Sequence, residues 1–314
     1  MAPIPGIGAT TGPQLFGFLF NYGLLGALVV QTYHYHLEYP EDRKLLKTIV
    51  YTLLFLEVVQ SILMSYDAYK IFGEGYGDWE ALDINHTDWF TVCILGSIVA
   101  GIVQFFYAHR LWLFSKSIIA GGIVSILALT QIIAGIAQGI FGKIVGNFSE
   151  LQKRSPIALG IWIGSSALCD IIIAVTMVYY LKKCHSAFSN TNAMIKKLVQ
   201  YSVETGLVTA IIATVLIILF LASPGHDFFE TPAKFLAKLY SNNLLVLLNS
   251  RTRLQNKNGT ANYVSEILNE FQLDTAIQSG GNVNSQTEDT SYHIALRPNT
   301  IHVHKETETW KEPL

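Results

Sequence analysis

Glu57, Gln60, Gln104, Asp170, Lys238 and Asn242 all stand inside long stretches of otherwise apolar sequence. Ionisable and amide groups in hydrocarbon are costly, so a chain that keeps them there does so for a ligand, an ion, a proton relay or a bond between helices. Read for chemistry, the six form a candidate polar cavity for a small ligand or ion. Glu57 and Asp170 supply negative charge, Lys238 positive charge, and the amides hydrogen bonds. Read for architecture, the same groups are neutralised by protonation or bonded across helices and only fix the packing. Arg110 and Glu204 fall near the same face on helices that run in opposite directions, and they are expected to form an ion-pair latch.

Other chemistries lack support. No metalloprotease, phosphate-loop, nucleophile-elbow or zinc pattern occurs, so no catalytic residue, metal or cofactor is assigned and an enzyme is not the expected reading. His34, His36, His109 and His185 collect at helix ends and do not face one another at membrane depth, which argues against haem. Lys238 lies close to one end of its helix and the third helix offers no acidic counter-ion, which argues against a retinal Schiff base. No basic patch points to nucleic acid. The three cysteines, Cys93, Cys169 and Cys184, are too few for a disulfide framework. Cys184 follows Lys182 and Lys183 at a helix end and is a lipidation candidate.

The elements that must position these groups follow from composition. Of 314 residues, 51% are hydrophobic and only 14% charged, against roughly 25% charged in ordinary soluble domains; mean hydropathy is +0.36. About 20 apolar residues cross a bilayer. Candidate helices run 14–36, 45–67, 89–114, 117–140, 157–181, 200–222 and 233–250. The expected fold is therefore an all-α integral membrane protein, a seven-helix bundle over 1–250, with a largely disordered cytoplasmic tail over 251–314. The last helix is the most polar and needs its neighbours to shield it. Lys and Arg crowd the connections after the first, third and fifth helices and the start of the tail. The opposite connections hold only Lys70, Lys143, Lys153, Arg154 and Lys234. By positive charge the crowded side is cytoplasmic and the N-terminus lies outside.

Two sequons, Asn85-His86-Thr87 and Asn147-Phe148-Ser149, fall on the outer side as glycosylation candidates. The expected setting is a secretory-pathway membrane, the plasma membrane in particular. All nine prolines are expected at helix ends or outside helices, so the helices should be continuous. Gly135-xxx-Gly139 and Gly160-xxx-Gly164 are expected to let helix backbones approach closely. In the tail, Tyr263, Val264, Ile267, Leu268 and Phe271 fit one short amphipathic helix, and Ile301–His304 alternates like a strand that could pair with a partner.

Several segments carry a family resemblance: Tyr39-Pro40-Glu41-Asp42 with Leu45-Leu46-Lys47, Gln104-Phe105-Phe106-Tyr107-Ala108-His109-Arg110-Leu111-Trp112, Trp162 to Asp170, Val203-Glu204-Thr205-Gly206-Leu207, and Tyr240-Ser241-Asn242-Asn243 followed by Leu248-Asn249-Ser250-Arg251. In these the chain resembles an uncharacterised seven-transmembrane-helix family of basidiomycete fungi, a domain of unknown function, over about its first 255 residues. Where that family carries Asp in the second helix, this chain has Glu57. The resemblance implies a fold and a membrane location and no activity. G-protein-coupled receptors share helix count and topology but not motifs: Asp-Arg-Tyr on the third helix and Asn-Pro-x-x-Tyr on the seventh are missing. The function expected is receptor-like or sensory, with lipid, an unknown small ligand and cytoplasmic protein partners of the tail around it. A structural or scaffolding membrane protein and a transporter using the intramembrane acids are the alternatives.

Overall fold

The computed structural model describes residues 7–76, 78, 83–115, 118–147, 150–151, 154–187, 193–222, 228–251, 290–297 and 300–307. Two compact units divide between Lys257 and Asn258.

The first unit holds seven long helices among the described residues. They are α1 (Ile7–Glu38), α2 (Lys44–Tyr69), α3, α4 (Ile118–Val145), α5 (Pro156–Ala187), α6 (Ala193–Ala222) and α7, residues 230–251. α2 closes in a π turn, Lys70–Glu74, and α3 opens as a π-helix, Trp89–Leu95, before continuing as α-helix over Gly96–Ser115. Six of the seven are long and apolar enough to cross a membrane, which makes this a membrane-embedded, multi-pass helical protein.

The seventh, α7, falls short of that hydropathy and is instead the most enclosed. Val246 is its one exposed residue. Its side chains and carbonyls bond to four other helices. Asn242 donates to the Leu24 carbonyl and Asn249 to the Gln31 carbonyl on α1, at 3.0 and 2.9 Å. Lys238 reaches Glu57 on α2, Tyr240 reaches Asp170 on α5, and Asn243 donates to the Thr205 carbonyl on α6 at 3.0 Å. A helix surrounded by protein gains nothing from lipid-compatible side chains, so polar residues there cost little once each finds a partner. An apolar core of Leu28, Tyr35, Leu53, Val103, Met177 and Leu244 packs around it.

Small residues set one helix crossing and not another. A Cβ on Gly135 would lie 1.8 Å from Ser97 Oγ, and one on Gly139 would lie 2.6 Å from the Trp89 carbonyl oxygen, so α4 rides directly on α3 there. Gly160 and Gly164 have nothing within 4 Å of a Cβ; that pair mediates no approach within the chain. Proline placement also differs from expectation. α1 begins at Ile7, so Pro13 lies inside it. Its carbonyl is used, accepting from Thr231 Oγ1 at 2.8 Å. Pro232 sits in the first turn of α7, where its missing N–H is an unbonded position anyway.

The connections at the two sequons are stitched together. The Asn85 N–H donates to the Gly146 carbonyl at 2.7 Å, beside an isolated antiparallel bridge between Ile84 and Asn147. This end of the bundle is the sequon end below; the end carrying Asp42, Arg110 and Arg251 is the basic end.

In the second unit, β1 (Thr290–Arg297) and β2 (Thr300–Thr307) form an antiparallel hairpin with Ile294 opposite Val303 and Leu296 opposite Ile301. The strand-like alternation at Ile301–His304 falls within β2. The amphipathic segment around Tyr263–Phe271 lies outside the described residues.

Candidate functional site

The six polar residues expected to line one cavity are divided among three bonded groups. In the first, Lys238 Nζ lies 2.6 Å from Glu57 Oε2, 2.8 Å from Gln60 Oε1 and 3.1 Å from the Glu57 carbonyl oxygen, while Ser241 Oγ donates to Glu57 Oε1 at 2.7 Å. Neither Glu57 nor Lys238 has any exposed surface. In the second, Asp170 accepts from Gln104 Nε2 at 3.1 Å and from the Tyr240 hydroxyl, which also meets Ser166 Oγ at 3.3 Å. In the third, Asn242 donates to the Leu24 carbonyl and, at 2.7 Å, to the Lys238 carbonyl, and accepts from Gln31 at 3.3 Å. None of the six lines the two cavities between the helices.

Arg110 and Glu204 are not brought together. Glu204 is exposed on α6 and accepts from Gln200 Nε2 at 2.9 Å, one turn back on the same helix, while Arg110 is buried on α3. The ion pair at the basic end is a different one. Arg251 Nη2 donates to Asp42 Oδ2 at 2.6 Å and its guanidinium stacks 4.3 Å over the Tyr39 ring; the Tyr35 hydroxyl donates to the same oxygen at 2.8 Å. Burial alone would raise the Asp42 carboxyl, but Arg251, Tyr35 and the Arg43 N–H together hold it below its usual 3.8.

The sequon candidates also part. Asn147 is exposed. Asn85 is buried, its Oδ1 accepting from the Trp89 N–H at 3.0 Å and so satisfying the first turn of α3. Cys184 lies on α5, with its side chain outside the described residues.

Two small cavities between the helices lie toward the sequon end, apart from the wider and more open groove of about 420 Å³ lined by Phe105, His109, Trp112 and Gly121 toward the basic end. The first of these holds about 50 Å³ and is lined by Asn85, Asp88, Cys93, Gln138, Trp162 and Lys234, with Glu230 and Phe229 on the α7 side. The second, about 40 Å³, continues past Trp162 and Ala233 to Ser166 and Tyr240 at mid-depth. Lys234 is buried on α7 and donates to Asp88 Oδ2 at 2.5 Å, with Glu230 Oε2 at 3.8 Å and the Phe18 ring 4.9 Å below. Gly17 makes room for its stem: a Cβ there would sit 3.0 Å from the Lys234 side chain. Asp67 accepts from the Thr87 N–H and hydroxyl at 3.1 and 2.7 Å, which fixes the turn that presents Asp88. The π-helix Trp89–Leu95 places Val92 and Cys93 on the cavity wall; such wide turns are frequent at functional sites.

The sequence places Lys234 just inside the seventh candidate helix, 233–250, and counts it with the charges of the outer side, and it assigns no role to Asp88 or Glu230. Pro232 was the available signal: a proline favours a first helical turn, which starts the helix before residue 233 and brings Glu230 into it.

A family model described as Family of unknown function (DUF6534) matches residues 166–253. The match runs from the middle of α5 through α6 and α7, and so includes Asp170, Lys234, Lys238, Tyr240 and Arg251. It supports an uncharacterised family. Neither a curated protein nor a solved structure matches the chain.

Proposed function

We propose that the protein is a receptor-like membrane protein of the seven-helix family it resembles, with its ligand chamber at the sequon end. The observation that carries this reading is that the two cavities share walls with α7, and α7 is bonded along its whole length. Lys234 and Tyr240 line them, Lys238 bonds to Glu57 one turn below Lys234, and Arg251 closes on Asp42 at the far end. A ligand that moves Lys234 acts on one rigid element reaching the opposite face, a contiguous route for coupling two sites. The positive-charge bias supports a cytoplasmic basic end, with the tail and Cys184 toward cytoplasmic partners, and Asn147 outside, as on a plasma-membrane protein.

A second reading has its own support. Glu57, Lys238, Gln60 and Ser241 satisfy one another, as in a bundle whose buried charges serve only to fix its packing.

Accessibility separates the readings. With the native cysteines replaced, Ala233→Cys (both cavities) and Ala213→Cys (the inner one) are exposed in sealed vesicles to silver ion, a thiol-seeking probe small enough for the cavity. The receptor-like reading requires reaction of both from the sequon face only. Reaction from both faces would indicate transport, and reaction from neither a closed structural bundle; each overturns the proposal.

A further inference from the structure

The groove toward the basic end has two walls, Phe105, His109 and Trp112 on α3 and Ile118, Gly121 and Gly122 on α4. On each helix the lining residues fall at i, i+3, i+4 and i+7, one face of each, so the groove runs about 10 Å along the helices. Its two glycines shape it differently. A Cβ on Gly121 would lie 3.2 Å from the Ala108 carbonyl oxygen and 3.2 Å from Trp112 Cβ, so α4 sits directly on α3 there. A Cβ on Gly122 would meet nothing within 4 Å, and the missing side chain leaves a trough. Ser125, also on the wall, returns its hydroxyl to the Gly121 carbonyl at 2.8 Å, which leaves the deeper part of the trough apolar to an occupant.

We propose that this groove binds one anionic glycerophospholipid, with an acyl chain in the trough over Gly122 and the phosphate at the basic end. Both walls belong to helices long and apolar enough to cross a membrane, and the neighbouring Leu113, Ile119 and Ile126 are exposed. The trough therefore opens on hydrocarbon, and what enters it is a lipid chain. About 420 Å³ falls in the range of sites for drug-sized molecules, roughly 300–1,000 Å³, and far exceeds what a water needs, about 10–15 Å³. Charge selects the headgroup. His109 is exposed on the wall and has a ring N–H to donate in either protonation state. Lys116 stands in sequence between Ser115 and Ile118, and α5, which packs on α4, ends with Lys182 and Lys183. Neither α3, α4 nor their connection contains an Asp or Glu, so no acid on either wall opposes a phosphate. Basic pockets between helices on the cytoplasmic side suit anionic headgroups, which are concentrated in that leaflet. The proposal goes beyond the receptor-like reading and does not depend on the chamber.

The test is native mass spectrometry of the full chain in detergent micelles titrated with dioleoylphosphatidylserine, dioleoylphosphatidylcholine, cholesterol or glycerol 3-phosphate. The expected result is one tightly held copy of phosphatidylserine, retained about five- to tenfold better than phosphatidylcholine. Gly122→Leu fills the trough where the structure has open space and exchanges glycine for a better helix former, so the fold is kept; it should lose the tight copy. Gly164→Leu, at an equally open glycine on α5, should retain it like the parent. His109→Leu combined with Lys116→Gln should remove the preference for the serine lipid. Equal retention of the two phospholipids, undiminished retention in Gly122→Leu, or a preference that survives the loss of His109 and Lys116 would overturn the proposal. So would cholesterol held in place of phosphatidylserine, which would make the groove a sterol site, or glycerol 3-phosphate held as well as the lipid, which would make it a site for the anion alone.

Discussion

Replacing Lys238 by Met is the sharpest probe of how α7 is held. The ammonium meets two side-chain acceptors, Glu57 Oε2 at 2.6 Å and Gln60 Oε1 at 2.8 Å, and both charged partners have no solvent exposure. Lys238→Met leaves Glu57 with Ser241 as its one remaining side-chain contact among those described. Removing one partner of a buried pair costs on the order of 3–5 kcal/mol, because the other charge stays behind uncompensated. Glu57→Leu leaves the ammonium stranded and should cost a similar amount. The double variant strands neither charge. It loses only the bonds to Gln60 and Ser241, about 1 kcal/mol each, so it should cost on the order of 2 kcal/mol, less than either single change. Reversible unfolding by sodium dodecyl sulfate in mixed micelles, followed by circular dichroism, measures all three. A double variant whose cost equals the sum of the single costs would show that the two side chains do not stabilise each other, and the α7 account would fail.

Other consequences can be checked independently. The Asp42 carboxyl titrates lower in the folded protein than in the unfolded chain, so its contribution is present above its ordinary 3.8 and fades as pH falls through the folded value; the gap in unfolding midpoint between parent and Asp42→Asn should hold from pH 7 to 5 and close in acid below about 4. Gly139→Ala presses a methyl against the Trp89 carbonyl at 2.6 Å and should cost about 1–3 kcal/mol, whereas Gly164→Ala meets nothing within 4 Å and should be neutral or stabilising in the same micelle titration. If the sequon end is lumenal, Asn147→Gln should abolish a glycosidase-sensitive gel shift, while Asn85→Gln should leave that shift and lower stability, since Asn85 is buried and bonded to Trp89.

Much of the fold was legible because lipid writes a coarse signal. Six helices could be placed from apolar length alone, and their bounds differ from expectation mostly at the ends, as where α1 starts at Ile7 instead of residue 14. α7 was legible as a helix in need of shielding; that it is bonded to four others was not, because pairing depends on neighbours far away in sequence. Glu57 and Lys238 were grouped as one polar set, and their direct pair falls within it. Asp170 belonged to a different group, with Tyr240, a residue whose aromatic ring reads as core until a hydroxyl partner is seen. The chamber was illegible for a related reason. Asp88 and Glu230 stand at helix ends and Lys234 follows a proline, positions where charge is ordinary. The packing of Gly17 against Lys234 and the turn held by Asp67 help to enclose them.

The most direct test of the central claim, a wet chamber beside α7 within an otherwise dry bundle, is hydroxyl-radical footprinting of the protein in nanodiscs with residue-level mass spectrometry. Trp162 lines both cavities, while Met64 and Met177 have no exposed surface. The account predicts oxidation of Trp162 and Cys93 with Met64 and Met177 protected. Protection of Trp162 and Cys93 to the level of those methionines would contradict it.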